Sequence, residues 1–268
     1  MTQNKLLKQL LEFLIQNTGW NSHFQFQEYR AAMATGNTPR ERLLLQLYAI
    51  ANSQSQPKLD PLAKFWKSFH HQYEEEVPSI QGLVDFLTRN GVKDPLSSTT
   101  TTIEKLYFGL KAQDGWGEKT AALFVKALVS IHLSDDEALH FLDAPSIQYV
   151  RDLKEEKIYL PVDAVIKHIF KSMNILAGDS FIAINKCILK FFDSEEFASL
   201  NLTRIQAMIL FDDLWFWGFI SQNSEGDERK NAWNENKYWG QKYAPKDSAS
   251  IVEIKRLAEI FINIIEQK

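Results

Sequence analysis

The sequence predicts an all-α protein. Ten segments place apolar residues at i, i+3, i+4 spacing, the pattern of helices that bury one face. No segment shows sustained alternation bracketed by hairpin turns, so no strand is expected. Of the 268 residues 45% are hydrophobic and 24% charged, enough apolar material to bury a sizeable core.

The elements follow in order. Residues 4–16 (NKLLKQLLEFLIQ) repeat leucine at helical spacing, and Glu12 interrupts the run, which argues against a secretory signal. Residues 39–52 begin at Thr38-Pro39, an N-cap followed by the first helical position. Residues 61–76 and 80–91 are the next helices, with Gly91 as a C-terminal stop. In the first of these, His70 and His71 are adjacent and cannot face one metal from a regular helix; YEEEVP (73–78) reads as a solvated helix end. KDPLSSTTTT (93–102) is a polar connector. Helices are expected at 101–113, 118–132, 162–173, 180–192, 204–220 and 249–267. Segment 134–161 is mixed with some helix, and 221–248 is polar, turn-rich and read as loop. Its Lys, Arg and aromatic residues at 228–246 suit a polar surface loop better than a nucleic-acid contact. In the aromatic run of Trp215, Phe216, Trp217 and Phe219 core packing is the main expectation, with one tryptophan free to line a pocket.

Cys187 is the single cysteine, so intramolecular disulfides and all-cysteine metal or iron–sulfur sites are excluded. No run approaches the roughly 18 apolar residues that span a membrane. The expectation is a soluble, intracellular protein. The formal net charge of −4 argues against a strongly basic coat, though not against a local basic surface.

The most informative stretch is QDGWGEKTAALFVKAL (113–128), which reads as turn then helix. Gly115 and Gly117 flank Trp116 and permit positive φ and close backbone approach. The free N–H groups of such a turn and of the helix start make an anion site, into which a DNA phosphate fits. A plain α-hairpin around a packed tryptophan is the other use of the same residues. Lys119 then sits at a helix start, where a cation is disfavoured. An uncharged amine is what a nucleophile needs; a solvated surface lysine is the ordinary alternative. The second piece is YLPVDAVIKHIF (159–170). Asp163 stands at a helix start, either as a plain N-cap or as a carboxylate aimed at a developing cation.

GWGEKTA followed by PVDAVIKHIF resembles the helix–hairpin–helix DNA N-glycosylases. Their hairpin carries a Gly-x-Gly turn with a lysine just after it, and a Val-Asp helix start supplies the catalytic aspartate. Lys119 and Asp163 fall on those positions, 44 residues apart, a longer separation than most of that family shows. Within it, EKTAALFVKAL, LPVDAVIKHIF and LFDDLWFWG are most similar to the archaeal-type 8-oxoguanine glycosylases, which also have the longer segment and no iron–sulfur cluster. The resemblance covers roughly residues 24–220 and is strong only at these three motifs.

What the resemblance implies is specific. The fold is a two-lobed helical one with the active site in the cleft between lobes. One lobe takes residues 1–38 and 160–268 and the other 39–133, the hairpin motif occupies about 101–132, and 134–159 is an inserted connector. Catalysis falls to Lys119 and Asp163, and DNA contact to Gly115, Trp116, Gly117 and Thr120. Gln54, or Gln56, fills the gap left by a flipped base, unless this is merely a polar helix end. The base pocket takes Lys126, Trp215, Asp212 (one position out of register) and Gln27 or Glu28, where the family carries a glutamine before Tyr-Arg. No cofactor is implied beyond a monovalent cation at the hairpin. The partner is double-stranded DNA with a damaged base, bound by a monomer. The reaction is removal of an oxidised purine through a Schiff base on Lys119, with strand cleavage by β-elimination. The alternative is a non-catalytic helix–hairpin–helix DNA-binding protein, in which Lys119 contacts a phosphate and Asp163 is only a cap.

Overall fold

The structure, a computed structural model, describes residues 2–54, 56–91, 100–176, 178–225 and 228–267. It is predominantly helical. The helices are α1 (Gln3–Asn17), α2 (Gly19–Met33), α3 (Pro39–Asn52), α4 (Leu59–Gln72), α5 (Ile80–Gly91), α6 (Thr102–Lys111) and α7 (Glu118–Leu133). They continue with α8 (Ala144–Asp152), α9 (Ala164–Met173), α10 (Phe181–Phe191), α11 (Glu195–Ala198) and α12 (Arg204–Ile220). Strands β1 (Gln222–Glu225) and β2 (Glu228–Asn231) pair antiparallel, Gln222 opposite Asn231, and α13 (Glu235–Trp239) and α14 (Ser248–Ile265) end the chain. No described helix is long and apolar enough to cross a membrane.

Helix starts are set by side chains that satisfy the orphan N–H groups of the first turn. Thr38, Thr101 and Thr203 each accept from the residue three positions on, and Glu41, Glu104 and Gln206 reach back to complete capping boxes. Asp143, Asp163, Ser180 and Asp247 cap α8, α9, α10 and α14.

The chain divides into two compact units. The first comprises residues 1–27 and 162–268. Here α1 buries Leu7, Leu10, Leu11 and Leu14. Phe13 meets the edge of Trp217 with ring centroids 4.9 Å apart, and Phe261 of α14 completes the cluster. α12 is apolar on nearly every face and its residues Phe211, Phe216, Trp217 and Ile220 are buried, as expected of a helix with no solvated stripe.

The second unit is residues 28–161. Every residue of α7 from Thr120 to His132 is buried except Leu123. Phe65, Phe69, Phe86 and Trp116 form an aromatic cluster. Segment 134–159 is built into this unit: α8 packs on α7, Asp143 N–H donates to Pro78 O at 2.8 Å, and Phe141, Val150 and Ile158 are buried.

Three expectations are corrected. Residues 221–248 are not all loop, because β1, β2 and α13 lie within them. Those strands are four residues long and polar (QNSE, ERKN), so they carry no apolar alternation to reveal them. The helix of residues 61–76 ends earlier: α4 stops at Gln72 with Tyr73 as its C-cap, and of the segment beyond it Tyr73 is buried and Glu75 accepts from Ser79 N–H and Tyr73 Oη–H, while Glu74, Glu76 and Val77 are exposed. Helix α2 is an addition to the expected elements, since GWNSHFQFQEYRAAM has no clear apolar period. The polar connector 93–102 lies mostly outside the described residues.

Candidate functional site

In the second unit, α6 and α7 are joined by a tight turn. Lys111 and Glu118 form an ion pair of 2.7 Å across it. Gly115 has φ +83°, and a Cβ there would lie 2.7 Å from Leu62 Cγ, so both conformation and space require glycine. Gly117 differs from expectation: it is extended, with φ −136°, and a Cβ would meet no heavy atom within 4 Å. Glycine at 117 therefore leaves open space beside the start of α7. The first-turn N–H groups of α7 have no intrahelical acceptors, apart from what caps them. Gly117 N–H donates to Thr120 Oγ1 at 3.0 Å, and the Thr120 hydroxyl donates back to Gly117 O.

Two of the residues expected to touch DNA are turned inward. Trp116 is buried, its ring 5.5 Å from Phe65 and its indole N–H without a partner among the described residues. Thr120 is buried as the cap just described. Trp116 packs in the aromatic cluster on Phe65, and Thr120 ties the Gly117 end of the turn. Gln54 is tied to the same turn: its amide donates to Ala51 O at 3.0 Å and Gly115 O at 3.3 Å. Gln56 is exposed.

Lys119 is partly buried and enters no hydrogen bond or ion pair among the described residues. Lys126 lies seven residues on, the same helical face. It is 1% exposed, and its Nζ donates to the Tyr29 hydroxyl at 3.3 Å.

In the first unit, Asp163 caps α9 with a fully engaged carboxylate. Oδ1 accepts from Val165 N–H at 2.8 Å and Ile166 N–H at 3.0 Å, and Oδ2 accepts from the Trp215 indole N–H at 2.9 Å. Trp215 is 39% exposed and stacks on Phe219, with centroids 5.0 Å apart and planes 12° from parallel. Phe216 and Trp217, its neighbours, are core. The Lys237 ammonium lies 5.0 Å from the Phe219 centroid, a cation–π contact. Asp212 is buried and accepts from the Gln25 amide at 2.9 Å; Asp213, beside it, is buried against the Asn21 amide. Asn21 and Gln25, which hold these two carboxylates, escape the sequence reading. Their signal is a pair of amides one helical turn apart in a segment without apolar period. Gln27 is partly buried and Glu28 exposed, and neither makes a hydrogen bond among the described residues.

Thus Asp163, Asp212, Trp215 and Gln27 belong to the first unit, and Lys119, Lys126, Gly115, Trp116, Gly117, Thr120, Gln54 and Glu28 to the second. His70 and His71 are both exposed, and among the described residues no group of three or more His, Cys, Asp or Glu is placed to hold a metal. The chain matches no protein-family model, no curated protein and no solved structure.

Proposed function

We propose that this protein is a base-excision DNA glycosylase of the helix–hairpin–helix kind with associated lyase activity, acting on an oxidised purine, 8-oxoguanine before others. The observation that carries the reading is Asp163. A carboxylate bonded by two helix N–H groups and an indole, beside a part-exposed aromatic stack, is held in one orientation without a cationic partner among the described residues. A plain cap needs only the first two of those bonds. Support comes also from the Gly115–Gly117 turn ahead of an unpaired lysine at the start of α7.

A base inside a duplex is out of reach, so it is flipped out at a cost of a few kcal/mol. N–H groups at the start of α7 hold a phosphate, which positions the strand without reading it. The flipped purine stacks on Trp215 and is read at its edge by polar groups, Asp212 and Gln27 or Glu28 among them. Lys119, as the neutral amine, attacks C1′ of the deoxyribose. The N-glycosidic bond breaks, its electron pair leaves with the base, and the base takes up a proton. Asp163 stabilises the positive sugar as that bond lengthens. Opening of the sugar ring gives the Schiff base on Lys119. Loss of a C2′ proton then expels the 3′-phosphate and cuts the strand.

Borohydride trapping tests this. A labelled duplex with one 8-oxoguanine is incubated with protein and borohydride, beside abasic and undamaged duplexes and the Lys119→Gln variant. A covalent band with 8-oxoguanine that is absent in the variant is expected. A band with the abasic duplex alone keeps the lyase and changes the base. Binding with no band on either overturns the enzyme reading in favour of a DNA-binding module.

A further inference from the structure

Helix α9 carries more than Asp163. Ala164, Lys167, His168 and Lys171 recur at i, i+3, i+4, i+7 and so share one face. That face, with β2, borders a cavity of about 560 Å³ in the first unit, within the size range of ligand sites. Lys167, His168, Lys171 and Arg229 line it, with Asp179 and Glu228. The wall is fixed by an amide: Asn231 Oδ1 lies 3.0 Å from His168 Nε2, and its Nδ2 donates to Ser172 Oγ at 2.9 Å and Glu266 Oε1 at 3.1 Å. Neither Lys167 nor Lys171 enters a hydrogen bond or ion pair among the described residues. Asp179 and Glu228 are exposed and do not pair with them. Among the described residues the Arg229 side chain makes one hydrogen bond, of 3.3 Å, to Gln222 Oε1.

Two unpaired ammonium groups and a guanidinium on one concave surface call for an anion. Burial lowers the pKa of His168; the Asn231 hydrogen bond opposes that, the charges of Arg229 and Lys171 add to it, and the Glu266 carboxylate behind Asn231 opposes it. A compact dianion placed in the cavity meets the two carboxylates as well as the cations. An extended polyanion running along α9 meets the lysine row, whose members stand one turn apart, about 6 Å along the axis. The row also begins one turn beyond Asp163.

We propose that the α9 groove binds the phosphodiester backbone of DNA, Lys167, Lys171 and Arg229 each meeting a phosphate oxygen. This deepens the glycosylase reading and rests on it for the identity of the polyanion. The groove positions the strand and reads no base.

The test is the salt dependence of affinity for an uncleavable abasic-analogue duplex. The Lys167→Gln/Lys171→Gln protein is compared with wild type and with a charge-matched control, Lys5→Gln/Lys255→Gln, thermal melts confirming that all three fold. The expected result is a slope of log affinity against log salt shallower by about 2 in the groove variant only, with affinity weaker by about tenfold per lysine near 0.1 M salt. Arg229→Gln alone is expected to make the slope shallower than wild type by about 1. An unchanged slope in both groove variants, with wild-type trapping by borohydride intact, overturns the groove and leaves the glycosylase standing. Failure of wild type to bind any duplex overturns both. Tight saturable binding of a mononucleotide to wild type, abolished in the groove variant while the duplex slope is unchanged, identifies a free phosphoryl ligand and overturns the backbone assignment.

Discussion

The Trp215 indole donates to Asp163 Oδ2 at 2.9 Å, while the same carboxylate's other oxygen caps α9 through Val165 and Ile166. One oxygen is thus structural and the other is aimed by an aromatic ring that is itself stacked on Phe219. The two duties separate by substitution. Asn ranks with Asp as an N-cap, but its Nδ2 cannot accept from the Trp215 indole, so Asp163→Asn is expected to keep the cap and lose about 0.5–1.5 kcal/mol with that bond, whereas Asp163→Ala loses the cap as well, about 0.5–2 kcal/mol more. Asn lacks the charge, so base release by Asp163→Asn is expected to fall by about 100-fold or more. Equal activity of the Asp163→Asn variant and wild type in single-turnover assays would reduce Asp163 to a cap.

Trp215→Phe tests the aiming alone. It keeps an aromatic ring over Phe219 and removes the donor. A hydrogen bond to a charged group is worth about 1.5–3 kcal/mol, so a loss of about tenfold or more in the release rate is expected. The effect should lie in the rate at saturating DNA, because the fold and the stack survive. An unchanged rate with weakened binding would make Trp215 a stacking residue only.

The two turn glycines make opposite predictions. Gly115→Ala forces a left-handed residue, at about 1–2 kcal/mol, and overlaps Leu62 as well, so a clear drop in melting temperature is expected. Gly117→Ala meets open space in an extended conformation, so stability should change by less than about 1 kcal/mol. If a phosphate approaches the start of α7, the added methyl obstructs it, and duplex affinity falls by about tenfold with the melt unchanged. Full affinity in a stable Gly117→Ala protein would remove the hairpin from the DNA contact.

Periodicity reveals what it physically encodes and no more. α12 is legible to the residue, because Thr203 and Gln206 mark its start and an apolar run fills it. α2 is not, because it packs through amides as well as apolar groups: Asn21 and Gln25 meet Asp213 and Asp212 instead of presenting a stripe. The β1–β2 pair is hidden for a like reason, its pairing being backbone-made between polar residues. Lys119 and Asp163 stand out as a pair of motifs, but spacing does not tell that Trp116 and Thr120 turn inward while Trp215 reaches back to Asp163. Those are choices of rotamer and packing, set by neighbours distant in the chain.

Lys126 separates recognition from chemistry. It is buried with its ammonium on the Tyr29 hydroxyl. Lys126→Met keeps the side chain's volume but leaves the Tyr29 hydroxyl without this donor, so a folded protein with a lowered melting temperature is expected. A cation that serves the base pocket acts only when a base is present. The variant should lose about tenfold or more in 8-oxoguanine release while trapping on abasic DNA stays near wild type. Equal losses on both substrates would move Lys126 from the pocket to the support of α7.

His132 sets an acid limit on the second unit. It is fully buried, edge-on to Phe141 at 4.6 Å, and neither ring nitrogen has a hydrogen-bond partner among the described residues. Burial, with the nearby charges of His140 and Arg151, lowers its pKa to about 3. The unfolded chain takes up that proton near pH 6.5 while the folded chain refuses it, so stability falls as pH drops below about 6.5. Between pH 7 and pH 5 this one group removes about 2 kcal/mol. His132→Phe keeps the ring packed on Phe141 and cannot be protonated. Urea melts at the two pH values should therefore show a loss smaller by about 2 kcal/mol in the variant than in wild type. Equal losses would mean that the packing around His132 opens to water on protonation and that the acid sensitivity lies elsewhere.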